Sequence, residues 1–270
     1  MSRIPQCFSQ LHSAGRKALI PFLTAGDPNL ETTLELMHAL VKNGVDIIEL
    51  GFPFTDPTSD GPVIQRAVER ALANNTSLKD VLATVSRFRL ENNDTPVVLM
   101  GYLNPIECMG YQEFVDSCIE VGVDGVLIVD MPPEESHDLK IVVDKTALDM
   151  IFLVAPTTSD ERARQICAQS SGYVYYVSLK GVTGAGNLDI VSVESNLAGF
   201  RSSTDLPIGV GFGIRDAETA AQIAAIADAV VVGSALINKI AELDANTSYN
   251  RDDLIKHIAL IKEMRESMDN

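Results

Sequence analysis

Eight short apolar runs recur along this chain and are separated by stretches with helical periodicity. The runs span residues 18–24, 45–50, 96–100, 123–129, 150–154, 173–177, 206–210 and 228–232. Several of them are apolar at nearly every position, which is typical of parallel strands covered on both faces. Between them, apolar residues recur at helical spacing, as at Leu30, Leu34, Met37 and Val41. The pattern therefore predicts strands and helices in alternation.

Alternation of this kind leaves two α/β architectures open, a closed barrel and an open doubly wound sheet. The chain has 270 residues, a length that fits one barrel of about 250 residues as well as two smaller domains. No linker, charge block or duplicated segment divides the sequence. We therefore predict that residues 1–270 form one α/β domain, a single (β/α)₈ TIM barrel with an extra N-terminal helix.

The charge balance narrows the range of partners. The chain has 21 Lys and Arg against 37 Asp and Glu, a formal net charge of −16. This charge disfavours binding to nucleic acid or to an anionic membrane, since both rely on basic side chains. The sequence has no apolar run typical of a secretory signal or a membrane span. We expect a cytoplasmic protein.

Candidate metal ligands are scattered along the chain. The four cysteines and four histidines are widely spaced and form no pair at the spacing of a metal site. We therefore predict no metal. In a barrel of this kind, functional residues are expected at the carboxyl ends of the strands, where the strand-to-helix loops meet.

Glu49 is the first candidate for chemistry at these strand ends. It interrupts an apolar run at the end of the second predicted strand. An ionised carboxylate is costly in such surroundings unless it is partnered or protonated, and a general acid or base needs an environment that shifts its pKa in this way. The alternative is a structural carboxylate bonded to backbone amides at the rim of the barrel.

Asp60 is the second candidate and lies in the loop after the same strand. One interpretation is that Asp60 caps the following helix, whose first turn contains Pro62. The functional interpretation is that the loop brings Asp60 over the mouth of the barrel beside Glu49, where two carboxylates in different environments can take different roles. Asp56, in the same loop, is interpreted as a turn or contact residue.

Small residues follow the last three predicted strands. Each glycine alone is typical of a turn. Together they lie where barrels commonly bind phosphate through backbone N–H groups, which needs no basic patch. The predicted phosphate-binding residues are Thr183, Gly184, Gly213, Gly233 and Ser234.

Bulky side chains are predicted near the same rim. They are Phe22, Met100, Leu127, Tyr175 and Phe212. Such residues are most often part of the barrel core. The alternative is a slot for a flat aromatic part of the substrate.

The segment from Ile48 to Pro62, IELGFPFTDPTSDGP, resembles the signature of the tryptophan synthase α subunit family. Supporting matches run along the whole chain and include PFLTAGDP, GYLNPI, DMPPEE, GVTG and GFGI. Thr58 and Ser59 depart from the usual pattern and make the Asp60 loop more polar. Leu179 stands where some members carry Arg.

This resemblance implies a lyase that cleaves indole-3-glycerol phosphate to indole and glyceraldehyde 3-phosphate by retro-aldol chemistry. It implies that Glu49 is the acid and base, that Asp60 binds the indole N–H, and that Tyr175 supports the pocket. Phe22, Leu127 and Phe212 would enclose the indole, while Gly184, Gly213, Gly233 and Ser234 would bind phosphate.

The resemblance also implies that this chain needs no cofactor and pairs with a β subunit that carries pyridoxal phosphate, in an α₂β₂ heterotetramer. The contact surface would include the loop around Asp56 and the segment Asn104-Pro105. Two alternatives remain open from the sequence. One is another phosphosugar isomerase of the barrel class, and the other is a catalytically weak allosteric subunit that mainly activates its β partner.

Overall fold

The computed structural model describes residues 2–178, 190–211 and 213–270. These residues form nine strands, all paired in parallel. The strands are β1 (Ala18–Thr24), β2 (Ile48–Gly51), β3 (Val97–Gly101), β4 (Gly125–Ile128), β5 (Asp149–Ile151), β6 (Leu153–Val154), β7 (Val174–Val177), β8 (Ile208–Gly211) and β9 (Ala229–Val232). Each overlaps a predicted apolar run.

The sheet closes on itself at the fifth predicted run. The strand order is β5-β4-β3-β2-β1-β9-β8-β7-β6, so that β5 and β6 lie at the two ends. They are consecutive in the chain and are separated by Phe152 alone. Ile151 pairs with Leu127 of β4, and Leu153 pairs with Tyr175 of β7. One run of residues therefore changes partners at Phe152, and the predicted α/β barrel with an extra N-terminal helix is confirmed.

Helices alternate with the strands around the outside of the barrel. In the described residues they are α1 (Ile4–Ser13), α2 (Leu30–Lys42), α3 (Pro62–Ala73), α4 (Leu78–Arg89), α5 (Leu103–Met109), α6 (Tyr111–Val121), α7 (His137–Val143), α8 (Asp160–Gln169), α9 (Ile190–Arg201), α10 (Ala217–Ala224), α11 (Ser234–Ile240), α12 (Arg251–His257) and α13 (Ala259–Asp269). A short 3₁₀ helix spans Pro133–Glu135. None of these helices is long and apolar enough to cross a membrane.

Several helices begin where side chains satisfy the free backbone amides of the first turn. Asn29 accepts a hydrogen bond from the N–H of Thr32 at the start of α2, and Ser77 and Asp80 form a reciprocal capping box at α4. Asn250 caps α12 by accepting from the N–H of Asp253. These contacts set the point at which each loop ends.

The buried side chains form two layers, one between the sheet and the outer helices and one inside the barrel. The inner layer includes Ile20 of β1, Val98 of β3 and Leu127 of β4. Helix α1 belongs to the same layer, and its Phe8 ring lies 6.0 Å from that of Tyr173 between centroids. The N-terminal helix therefore packs under the amino ends of the strands, and the carboxyl ends are left for the site.

Candidate active site

Glu49 lies on β2 and points into the barrel, where its side chain is fully buried. The phenol of Tyr173, the residue directly before β7, donates a hydrogen bond to Glu49 Oε1 at 2.5 Å. Burial raises the pKa of Glu49 from 4.5 to about 8, although the hydrogen bond from Tyr173 acts in the opposite direction. Glu49 is therefore mainly protonated at pH 7.

The second carboxyl oxygen of Glu49 has a different environment. Among the described residues, Oε2 is buried and has no hydrogen-bond partner. An unpartnered buried oxygen is unfavourable in a carboxylate that only serves the structure. The described bond to Glu49 comes from a phenol and not from a backbone amide, contrary to the structural interpretation of this residue. The arrangement leaves one carboxyl oxygen to exchange a proton with a bound molecule.

Asp60 lies in the loop between β2 and α3 and does not cap that helix. The cap position of α3 is Gly61, which makes no side-chain capping bond. The Asp60 carboxylate instead accepts a hydrogen bond from the phenol of Tyr102, with Oδ2 and the phenol oxygen 3.0 Å apart. Burial raises the pKa of Asp60 from 3.8 to about 6, and the bond from Tyr102 limits this rise.

The two carboxyl groups differ in charge at neutral pH. Glu49, with a pKa of about 8, is mainly a neutral acid, whereas Asp60, with a pKa of about 6, is mainly ionised. The difference follows from deeper burial of Glu49. Two acids with separated pKa values at one end of a barrel can supply a proton and a fixed negative charge at the same time.

A small cleft lies at the carboxyl ends of β1, β2 and β3 and includes Asp60 in its lining. It is lined by Phe22, Thr24, Gly51, Phe52, Phe54, Asp60, Ile64, Val68, Met100, Gly101, Tyr102 and Val129. The lining is therefore mostly apolar and aromatic, with one carboxylate at its edge. This composition is typical of a site for a flat apolar group that carries one hydrogen-bond donor, but the cavity volume is about 20 Å³, so the lining side chains must move apart before a ring can enter. Phe22 and Met100, two of the residues predicted to contact the substrate, are in the lining.

Leu127 and Tyr175 lie deeper, in the inner layer of the core. Both are almost fully buried. Tyr175 of β7 stands two residues after Tyr173, which directly precedes the strand, and both side chains face the interior. Burial raises the pKa of Tyr175 well above 10, and the charges of Glu49 and Asp60 raise it further. Tyr175 is therefore close enough to interact electrostatically with both carboxyl groups.

The residues predicted to bind phosphate are described only in part. Gly213, after β8, has a φ of +81°, a conformation that favours glycine. Gly233, after the adjacent strand β9, faces open space where a Cβ would stand, and the Oγ of Ser234 is buried without a partner among the described residues. Thr183, Gly184 and Phe212, together with Leu179, lie outside the described residues.

Two residues of the site were not predicted from the sequence, Tyr173 and Tyr102. The signal for Tyr173 is its spacing of two from Tyr175, which places both on one face of a strand. The signal for Tyr102 is its position directly after β3, at the same rim as Asp60. Neither signal identifies the carboxyl group that accepts the hydrogen bond, because the acceptor depends on which strands become neighbours.

A parallel α/β barrel with two unlike carboxyl groups beside an apolar cleft at its carboxyl rim defines an enzyme of the TIM-barrel class. The family model described as Tryptophan synthase alpha chain matches residues 8–269 of this sequence. The chain belongs to the tryptophan synthase alpha chain family.

Similarity to individual relatives extends over the whole chain. The sequence is 56% identical over 269 residues to the tryptophan synthase alpha chain of Thioalkalivibrio sulfidiphilus, and covers 100% of both chains. It is 55% identical over 269 residues to that of Methylococcus capsulatus, again with 100% of both covered. The crystal structure of tryptophan synthase subunit alpha from Legionella pneumophila str. Paris is similar with a TM-score of 0.90 at 44% identity, covering 100% of this chain and 99% of that one.

Proposed function

We propose that Glu49 and Asp60 divide the chemistry of the reaction that characterises this family. Members of this family are lyases of tryptophan biosynthesis, and they cleave indole-3-glycerol phosphate. The observation that supports the assignment is a pair of carboxyl groups with different charge states at neutral pH, the fully buried and mainly neutral Glu49 inside the barrel and the half-buried, mainly ionised Asp60 at the cleft. A phosphosugar isomerase gives no role to this pair, and membership of the family does not favour it.

Glu49 would act as acid and base. Cleavage breaks the bond between indole C3 and the glycerol side chain, and its electrons remain on the ring. Glu49 gives its proton to C3, and the resulting carboxylate takes the proton of the adjacent side-chain hydroxyl, whose carbon becomes the aldehyde. One proton leaves Glu49 and one returns, so the group ends in its starting state. A pKa near the working pH suits both transfers.

Asp60 would act as the fixed negative charge. When C3 receives a proton, the indole ring becomes positively charged and its N–H becomes a stronger donor. An ionised carboxylate at the edge of the cleft can accept a hydrogen bond from this N–H and stabilise the charge as it develops. The aromatic lining formed by Phe22 and Phe52, with Met100, would hold the ring between Asp60 and the interior.

The phosphate would be held chiefly by backbone N–H groups. The strands β8 and β9 are neighbours, so the segments after them, at Gly213 and at Gly233-Ser234, lie at one edge of the same rim. We extend this proposed phosphate site to Thr183 and Gly184. We assign Leu127, Tyr175 and Phe212 to the separate pocket for the indole ring. Backbone dipoles reconcile an anionic substrate with a chain of net charge −16.

The alpha chain of this family carries no cofactor of its own, and pyridoxal phosphate belongs to the β subunit with which it assembles. We propose that the contact surface includes the exposed residues Asp56 and Asn104, next to the site. We also propose that residues 1–270 form one domain, which the family match to residues 8–269 supports. A cytoplasmic location is proposed from the biosynthetic role of the family.

Replacement of the two carboxyl groups tests the assignment. Glu49→Gln and Asp60→Asn keep the size of each side chain but remove its proton exchange or its charge. Each is expected to lower kcat for indole release by roughly 10²–10⁴-fold, the range of general acid and electrostatic contributions. The assay measures indole with and without the β subunit, which also tests whether the chain only activates its partner.

Glu113→Gln is a matched control, because this carboxylate is exposed on α6 and lies outside the site. The control is expected to match the wild type. If both site variants also cleaved the substrate at the wild-type rate, the assignment of Glu49 and Asp60 would be wrong.

A further inference from the structure

Tyr102 connects the Asp60 loop to the end of β3. It follows Gly101, the last residue of β3, and is only 4% exposed. Its ring packs against Phe54 in a tilted arrangement, with 5.4 Å between the ring centroids. A buried ring in this position has little freedom to move, so its hydroxyl oxygen is a fixed point beside the loop.

Two hydrogen bonds at this hydroxyl, with the Ser59 backbone and with the ionised Asp60 carboxylate, have a fixed direction, and the Ser59 side chain is a third partner. The backbone N–H of Ser59 can only donate, and it donates to the phenol oxygen of Tyr102 at 3.0 Å. A phenol has one proton, which is left for Oδ2 of Asp60, also at 3.0 Å. Burial and the nearby Asp60 carboxylate raise the pKa of Tyr102, so the phenol keeps this proton at neutral pH. Tyr102 is therefore able to donate to the ionised Asp60 carboxylate at neutral pH.

The backbone of the loop has separate anchors. Gln65 donates through Nε2 to the carbonyl oxygen of Asp60 at 2.8 Å, and the N–H of Asp60 donates to the carbonyl oxygen of Pro57 at 3.1 Å. These bonds hold the main chain but do not orient the carboxylate. Two described titratable groups interact with the Asp60 carboxylate. Tyr102 forms a hydrogen bond to it, and Tyr175 of β7 interacts with its charge. Both are neutral phenols.

We propose that Tyr102 is a positioning residue for the cleavage reaction. Its hydroxyl accepts from the Ser59 amide on one side and, on the other, donates to the ionised Asp60 carboxylate and orients it along the cleft. This inference rests on the proposed role of Asp60. A donor at Oδ2 favours the charged form, which is the form that binds the indole N–H and stabilises the ring cation. Tyr102 thus acts through Asp60 and touches no reacting atom.

Tyr102→Phe removes the donor and keeps the ring. We expect the acid limb of the kcat profile for indole release to move up by about 0.5–1 pH unit, because the Asp60 carboxylate loses a charge-stabilising bond. At pH 5 kcat should fall about 3–10-fold and at pH 6.5 about 1.5–3-fold, and the deficit should vanish above pH 8, where Asp60 ionises without help. The measurement is made on the full chain in complex with its β subunit.

Tyr111→Phe is the matched control, since Tyr111 also donates to a carboxylate, Glu107, at 2.8 Å, but on the exposed surface of α5 and α6. It should leave the profile unchanged. A deficit for Tyr102→Phe that is constant across pH would indicate a structural role only and would overturn the inference.

The double variant Tyr102→Phe/Asp60→Asn separates this inference from the proposed function. If Tyr102 acts through Asp60, Tyr102→Phe changes kcat less than about twofold once Asp60 is Asn. If Asp60→Asn alone leaves cleavage unchanged, the proposed function fails. If Asp60→Asn lowers cleavage but Tyr102→Phe retains the wild-type rate and profile, only the role of Tyr102 fails.

Discussion

At the scale of single residues, burial decides the chemistry of the two carboxyl groups. Glu49 and Asp60 are eleven positions apart in the sequence, and neither has a described Lys or Arg partner. Each instead accepts a hydrogen bond from a tyrosine, Tyr173 or Tyr102. A phenol favours the ionised form less than a full positive charge does, so burial remains the larger effect and both pKa values are raised.

The raised pKa of Glu49 predicts a pH-dependent stability. The pKa of Glu49 is about 8 in the folded chain, above its ordinary value of 4.5. The folded chain therefore disfavours the ionised form, and the free energy of unfolding, highest below about pH 4.5, falls as the pH rises toward 8. Glu49→Gln cannot ionise, so we expect this variant to be more stable than the wild type at pH 8 by about 1–3 kcal/mol. The advantage should disappear near pH 4.5. Urea unfolding of the isolated chain at several pH values measures the difference.

Glu113→Gln, at an exposed carboxyl group, provides the comparison for this experiment. It should follow the wild type at every pH. A Glu49→Gln variant with no gain in stability at pH 8 would show that Glu49 does not carry a raised pKa in the folded chain.

At the scale of elements, the site depends on which strands become neighbours. Tyr175 of β7 and Gly211 of β8 are on paired strands, and a Cβ placed on Gly211 would lie 2.0 Å from the Tyr175 hydroxyl oxygen. This distance is far below normal contact. The absence of a side chain at Gly211 is therefore what allows a large phenol to fill the barrel interior beside Glu49.

Gly211→Ala is expected to destabilise the chain by about 1–3 kcal/mol and to lower indole release, because Tyr175 must move. Tyr175→Leu removes the ring and leaves a cavity, so it is destabilising by itself. In the double variant Gly211→Ala/Tyr175→Leu, the new methyl group no longer meets the phenol. The double variant should therefore lose less unfolding free energy than the two single variants lose in sum. Thermal or urea unfolding of all four proteins measures this coupling.

Gly199→Ala serves as the control for the added methyl group, since a Cβ at Gly199 on α9 meets open space. It should be neutral or stabilising by about 0.5–1 kcal/mol. Strict additivity between the changes at Gly211 and Tyr175 would contradict the contact.

At the scale of the whole molecule, the two ends of the barrel have different tasks. The carboxyl end holds Glu49, Asp60 and the cleft. The amino end holds Asp124, which is 1% exposed and binds Arg89 at 2.8 Å and Arg3 at 3.0 Å. Asp124 also accepts from the backbone N–H of Val97 at 2.9 Å, so it ties α1 and α4 to the start of β3. This network lies at the stability face of the barrel.

Asp124→Ala is expected to lower the free energy of unfolding by about 3–5 kcal/mol, because it leaves the buried guanidinium of Arg89 without its partner charge. At a temperature where the variant is still folded, kcat for indole release should stay within about twofold of the wild type. Asp116→Ala, at an exposed position on α6, should change neither quantity. A loss of kcat in folded Asp124→Ala would show that the two ends of the barrel are coupled.

The alternation of apolar runs with amphipathic stretches was enough to predict the barrel, because each strand and helix is encoded locally by its own periodicity. Pro62 marked the start of α3 correctly for the same local reason. The sequence also indicated Glu49 and Asp60, as a carboxyl group in an apolar run and an acid in the adjoining loop. These conclusions depend on residues close together in the chain.

The partners of those acids were decided by the tertiary structure. Tyr173 is 124 positions from Glu49, and Tyr102 is 42 positions from Asp60. Their contacts arise only when closure of the sheet brings β7 across from β2 and places the end of β3 beside the loop after β2. Burial, which separates the two pKa values, likewise depends on the packed barrel as a whole. The sequence by itself therefore determined the alternation of strands and helices and the identity of the two acids, Glu49 and Asp60. The tertiary structure alone decided the hydrogen bonds and the protonation states of these two side chains, because both properties depend on long-range contacts and on the exclusion of water.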